Sequence, residues 1–268
     1  MKKDTQSLIG AGLLGLLALG LFGHSFASNQ ESTPPTSSMP VIINMAADGD
    51  PTLAPLLSAN GSVNPIPPNA TVVAKASFGG MSLFRASAYS QQAQSWWCVA
   101  ASTQMMLNLI TGNSDQSATD QQAYLTYGAA HSQYQVPSGV EPDGWANTLN
   151  TYGKGTYKVG IYSTFDEAIK VAATRLRLTG KPVGLMVNSG WHAWVMAGFT
   201  STGDDPAISQ NFNVTSVTVM APDYGLSSYD PRPGSVESIA YMRHKLTGYV
   251  EYFNFKTVWD HKFILVQP

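Results

Sequence analysis

Gln91-Gln92-Ala93-Gln94-Ser95-Trp96-Trp97-Cys98-Val99-Ala100-Ala101-Ser102 is the stretch on which the reading of this chain turns. From Cys98 to Ile110 the apolar residues run round a helix. Val99, Met106 and Ile110 lie on one side, Ala101, Met105 and Leu109 on the other. A helix apolar on most sides belongs in a core, and Gly112 ends it. With Ser95 as the N-cap, Cys98 sits in the first helical turn. Free N–H groups and the positive end of the helix dipole favour a thiolate there. The same N–H groups suit the oxyanion of an acyl-transfer intermediate, and Gln91, Gln92 and Gln94 offer side-chain amides just upstream.

Cys98 is the only cysteine of 268 residues. That excludes an internal disulfide framework and a cysteine-based zinc site. The bland reading of a lone cysteine is a small buried apolar residue. The chemical one requires a base. Beyond the first 27 residues the histidines are His131, His192, His244 and His261. His192 opens the apolar strand Gly190-Trp191-His192-Ala193-Trp194-Val195-Met196-Ala197-Gly198-Phe199, where an imidazole needs a reason. It is either a hydrogen-bonded core histidine or the partner of Cys98, since a neighbouring imidazolium activates a thiol. A carboxylate to orient the ring is available in Asp223, at the exit of Val219-Met220-Ala221-Pro222-Asp223-Tyr224-Gly225, although Asp in such a place is also an ordinary turn former. Trp96, Trp97, Trp191 and Trp194 lie within two positions of Cys98 or His192. Strand alternation puts Trp194 on the face of His192, where its indole would wall the imidazole from water.

Outward from these motifs the chain divides in three. Lys2 and Lys3, an uncharged apolar run Leu8–Gly23 and then Ser25-Phe26-Ala27 have the layout of a secretory signal peptide over residues 1–27. The run, about 16 residues, is shorter than the ~20 that span a bilayer comfortably. Any membrane contact would run through that segment uncleaved. Residues 28–80, with eight scattered prolines and few charges, read as a linker or lead-in. Residues 81–268 form the folded domain. Helices are predicted at Cys98–Ile110, Asp120–Ala130, Pro142–Thr151 and Asp166–Leu178, the last after a capping box at Thr164. Strands are predicted at Met81–Tyr89, Pro182–Val187, His192–Phe199, Val214–Met220, Tyr249–Phe255 and Lys262–Val266. Helices first and strands second imply an α+β fold with a mainly antiparallel C-terminal sheet. Charged residues make up 12% of the chain and the formal charge is −2, so no basic run points to nucleic acid.

The three motifs together resemble the papain-like cysteine peptidases. Gln92 stands six residues before a Trp-Cys that opens a helix, and Gly-Trp-His-Ala-Trp and Ala-Pro-Asp-Tyr-Gly follow. The resemblance is to bacterial branches, the bacteriocin-leader-processing and secreted effector peptidases. It implies a papain-like α+β fold with an N-terminal helical half. It also implies a Cys98–His192–Asp223 triad with Gln92 as oxyanion donor, hydrolysing peptide or protein substrates with neither metal nor organic cofactor; with the signal layout of residues 1–27 cleaved, the expected protein is an extracytoplasmic, secreted or cell-surface monomer. The chain departs from many members in having Val99 where Trp follows the cysteine, and it lacks the transporter segments usually fused to leader peptidases. Two readings compete: a transglutaminase-like acyl transferase, in which Cys, His and Asp occur in the same order, and a non-catalytic binding module on a peptidase scaffold.

Overall fold

The computed structural model describes residues 77–268, except 135, 137, 154, 228 and 252–256. The expected signal segment and nearly all of the lead-in lie outside the described residues. Five helices and seven strands are present among those described, and the helices that build the first half precede most of the sheet. Strand β1 (Gly80–Ser82) is followed by α1 (Cys98–Thr111), α2 (Ala118–Ala130) and α3 (Pro142–Gly153). Then come β2 (Lys158–Tyr162), α4 (Phe165–Thr179), β3 (Val183–Val187), β4 (His192–Gly203) and β5 (Phe212–Met220). β6 (Ser235–Ser238), α5 (Ile239–Lys245) and β7 (Phe263–Gln267) complete it. No helix among the described residues is long and apolar enough to cross a membrane.

The sheet order is β2-β7-β3-β4-β5-β6, every pairing antiparallel. β4 is its longest strand. Its first half pairs with β3 (Val187 opposite His192), and β1 continues that edge from Gly198 to Thr200. Ser77 and Phe78 extend the pairing, with the Phe78 N–H on the Gly203 carbonyl at 2.9 Å. Side chains alternate along β4 and divide the core in two. Trp194, Met196 and Phe199 pack with Ile169, Ala172 and Leu176 of α4. Ala193, Val195 and Ala197 pack with Met105 and Met106 of α1 and Trp145 and Leu149 of α3. The two layers of helices thus cover opposite faces of one sheet, and its central strand β3 is buried on both.

Local signals explain most boundaries. Gly112 and Gly180 close α1 and α4 in the left-handed conformation. Thr164 Oγ1 accepts the Glu167 N–H, half of the expected capping box; the Glu167 carboxylate caps Ser163 N–H instead of Thr164. Three expectations change. Met81–Tyr89 is a strand only at its start, because Ala86–Ala88 turn as a 3-10 helix. Tyr249–Glu251 are not strand, and Tyr252–Phe255 lie outside the described residues. Finally, α1 starts at Cys98 with Trp97, not Ser95, at its N-cap. The reason is Trp96, whose φ of 70° is left-handed and breaks any helix begun at Ser95.

Candidate active site

Cys98 stands at the first position of α1. The first intrahelical bond runs from Ala101 N–H to the Trp97 carbonyl, so the N–H groups of Cys98, Val99 and Ala100 have no helical acceptor. No side chain caps them. The cysteine therefore carries its own backbone donor beside its sulfur.

His192 reaches it from the first position of β4. The turn before it, Asn188-Ser189-Gly190, has three successive positive φ values of 51°, 59° and 88°. Gly190 is required there for a second reason: a Cβ would lie 2.4 Å from the Tyr249 ring. The turn is fixed by Ser189 N–H donating to Thr247 Oγ1 at 2.9 Å and by Val250 N–H donating to the Ser189 carbonyl. The imidazole shares the cleft with Cys98 on one side, and the thiol is among the groups that raise its pKa. On the other, Nε2–H donates to Asp230 Oδ2 at 2.9 Å. Nδ1 is then the nitrogen that serves the sulfur.

The carboxylate that meets the imidazole belongs to Asp230, not to Asp223 as expected from the strand exit. The chain after β5 turns back on itself, with Leu226 N–H and Ser227 N–H on the Asp223 carbonyl. This return brings Asp230 under the ring, where its side chain is 2% exposed against 16% for His192. Asp223 contributes through its main chain, donating N–H to Asp230 Oδ2 at 2.9 Å. Asp223 also lines the open cleft. Asp230 Oδ1 accepts the Trp194 indole N–H at 3.0 Å. Trp194 thus does share the face of His192, and its polar edge holds the carboxylate that holds the ring.

These contacts settle the charge of the pair. Burial works against a charged imidazole. The hydrogen bond to Asp230, the Cys98 thiol and the negative charge of both outweigh it, and push His192 up to about 10. For Asp230 burial opposes ionisation, but the His192 contact, the Asp223 N–H and the Trp194 N–H hold its carboxyl below the ordinary range. An imidazolium and a carboxylate therefore persist together across neutral pH.

Gln92 lines the cleft beside Cys98 and His192. Its loop is anchored by its N–H on the Pro222 carbonyl at 2.9 Å and by a buried amide network. Gln121 of α2 donates to Ser90 Oγ, the Gln91 carbonyl and Gln104 Oε1 at 2.8–2.9 Å, and accepts Ala93 N–H at 3.0 Å. Of the other two glutamines, Gln91 is turned away to the Tyr224 carbonyl, whereas Gln94 also lines the cleft. The cleft, about 580 Å³, has Gln92, Gln94 and Asp223 on one side of Cys98 and Trp96 and Trp191 beside it. The two indoles are 6.2 Å apart and tilted by 48°. A smaller cavity of about 80 Å³ opens on Cys98 from the α3 side.

A helix N-terminus presenting a cysteine to a histidine and carboxylate on an antiparallel sheet is the architecture of the papain-like cysteine peptidases. The chain belongs to the Peptidase_C39 like family, whose model matches residues 85–224, a span that holds Gln92, Cys98 and His192. Asp230 lies beyond its end. None of the curated proteins compared matches the chain.

Sequence reasoning missed Asp230. Tyr229-Asp230-Pro231 lies beyond the strand exit that pointed to Asp223, and only the fold gives Asp230 its burial and its contacts with His192 and Trp194. Trp194 was the available signal: a buried indole N–H seeks an acceptor, and here it finds this carboxylate.

Proposed function

We propose that the protein is an exported peptidase that hydrolyses peptide bonds with Cys98 as nucleophile, His192 as acid and base, and Asp230 as the orienting carboxylate. The observation that carries this reading is the single imidazole held between the thiol and a buried carboxylate. The Cys98 thiolate attacks the scissile carbonyl carbon. The resulting oxyanion is met by the Cys98 N–H and the Gln92 amide. The imidazolium then gives its proton to the leaving amine, and the acyl group remains on sulfur. Neutral His192 next takes a proton from water as it attacks the thioester, and the thiolate departs. Asp230 keeps Nε2 protonated throughout, so that Nδ1 is the nitrogen that exchanges the proton. Export is supported by the charge and apolar layout of residues 1–27.

Alkylation of Cys98 by iodoacetamide at neutral pH tests the pair. The rate should exceed that of a free cysteine thiol and should lose the excess in His192→Ala. An unreactive thiol, or equal rates in the two proteins, overturns the proposal. Cleavage of an unstructured protein such as casein, abolished by Cys98→Ala, tests the reaction itself.

A further inference from the structure

The small cavity beside Cys98 is built unlike the rest of the cleft. Val99, Val140, Met186, Trp96, Trp191 and Tyr249 make its walls apolar. Into these walls is set one carboxylate, Glu141, only 4% exposed. No Lys, Arg or His among the described residues lines the cavity. Glu141 Oε2 accepts the Tyr134 N–H at 2.9 Å, and no donor among the described residues meets Oε1. Burial raises the group, the Tyr134 N–H opposes the rise and Asp143, a like charge in the first turn of α3, adds to it, and the outcome is about 7. A carboxylate enclosed by apolar side chains with one hydrogen bond is a costly arrangement for structure alone. A neutral amide would tie down Tyr134 equally well.

Resting on the reading of Cys98 and His192 as a peptidase pair, we propose that Glu141 is a specificity-determining residue that selects a basic side chain next to the scissile bond. The methylene stem of such a side chain packs on Val99, Val140 and Met186, and its cationic head meets Glu141 Oε1. The indole of Trp191 adds favourable contact for a cation. With Oε2 already engaged, one oxygen remains, which suits the point charge of lysine better than the two-pronged guanidinium of arginine. The substrate class is therefore a lysine-bearing peptide or protein segment.

Dipeptidyl acyloxymethyl ketones test this directly, because they alkylate the cysteine and carry a chosen side chain into the cleft. Lysine, norleucine or glutamate is placed at either position beside glycine; norleucine is the lysine stem without its charge. At one position the lysine reagent should inactivate the full chain about tenfold faster than the norleucine reagent, as expected for an ion pair in a partly desolvated site. Glu141→Gln should remove that advantage by bringing the lysine rate down to the norleucine rate. Val136→Lys, which places a cation at the cavity without touching Glu141, should remove it as well. Equal lysine and norleucine rates in the unaltered protein, or an advantage that survives in Glu141→Gln, overturn the inference. So does failure of every reagent on a thiol that iodoacetamide reaches. Loss of the His192-dependent iodoacetamide reaction instead overturns the peptidase reading beneath it.

Discussion

Replacing Asp230 with Asn changes one charge in a nearly isosteric side chain, and its effect on His192 follows from the geometry. The imidazole stands at about 10 against an ordinary 6.5, a rise worth ~5 kcal/mol at ~1.4 kcal/mol per pH unit. Burial pulls the other way, so the attractive contacts supply more than the net rise. Asp230 gives two of them, a hydrogen bond and a charge, and Cys98 gives the rest. A facing carboxylate at this range is worth about 1–3 pH units. His192 in Asp230→Asn should therefore titrate about 1–3 units lower. The assay is a pH titration of histidine Cε1–H resonances by NMR, with His192 assigned from a His192→Ala sample. The alkaline limb of peptidase activity should move down with it, because the imidazolium is the acid of the first step. Linkage adds a stability readout. A group whose pKa rises on folding stabilises the native state fully below 6.5, and the contribution fades as pH rises through about 10. The variant should thus be less stable than the parent near pH 6, and the two should converge above about pH 10. A His192 midpoint unmoved in Asp230→Asn, and moved instead in Asp223→Asn, would refute the assignment and restore the carboxylate at the strand exit.

Trp194→Phe removes the indole N–H from Asp230 Oδ1 and leaves a buried carboxylate oxygen unmet, a loss of about 1–3 kcal/mol that urea denaturation would register; an unchanged midpoint would remove the indole from the account. Glu141→Gln should stabilise the protein at alkaline pH. Between its ordinary 4.5 and about 7, the wild type should lose up to ~3 kcal/mol of stability as Glu141 is forced to ionise in its buried setting, and thermal melts of the Gln variant should lack that fall. Gln121→Leu frees the Ser90–Ala93 loop from α2 and should lower kcat far more than it alters iodoacetamide alkylation, since Gln92 and not the thiolate loses its support. An equal fall in both would place Gln121 in general folding instead.

What the sequence determined by itself is the part held by near neighbours. The apolar run after Cys98, the stop at Gly112, the cap at Thr164 and the alternation from His192 to Phe199 are each set within a few residues. They were enough for an α+β fold and to single out Cys98, His192 and Gln92 as candidates. The N-cap of α1 was misplaced because a tryptophan in the left-handed region carries no sequence mark. Asp230 and Glu141 belong to another kind of information. His192 and Asp230 are 38 positions apart, and which of two aspartates meets the ring is fixed by how the chain after β5 folds back. Glu141 stands just before α3 with nothing in its neighbours to mark it, and only the apolar walls that close round it set it apart. A carboxylate's chemistry depends on the charges it faces and the water it loses, and both are decided only when distant segments pack together.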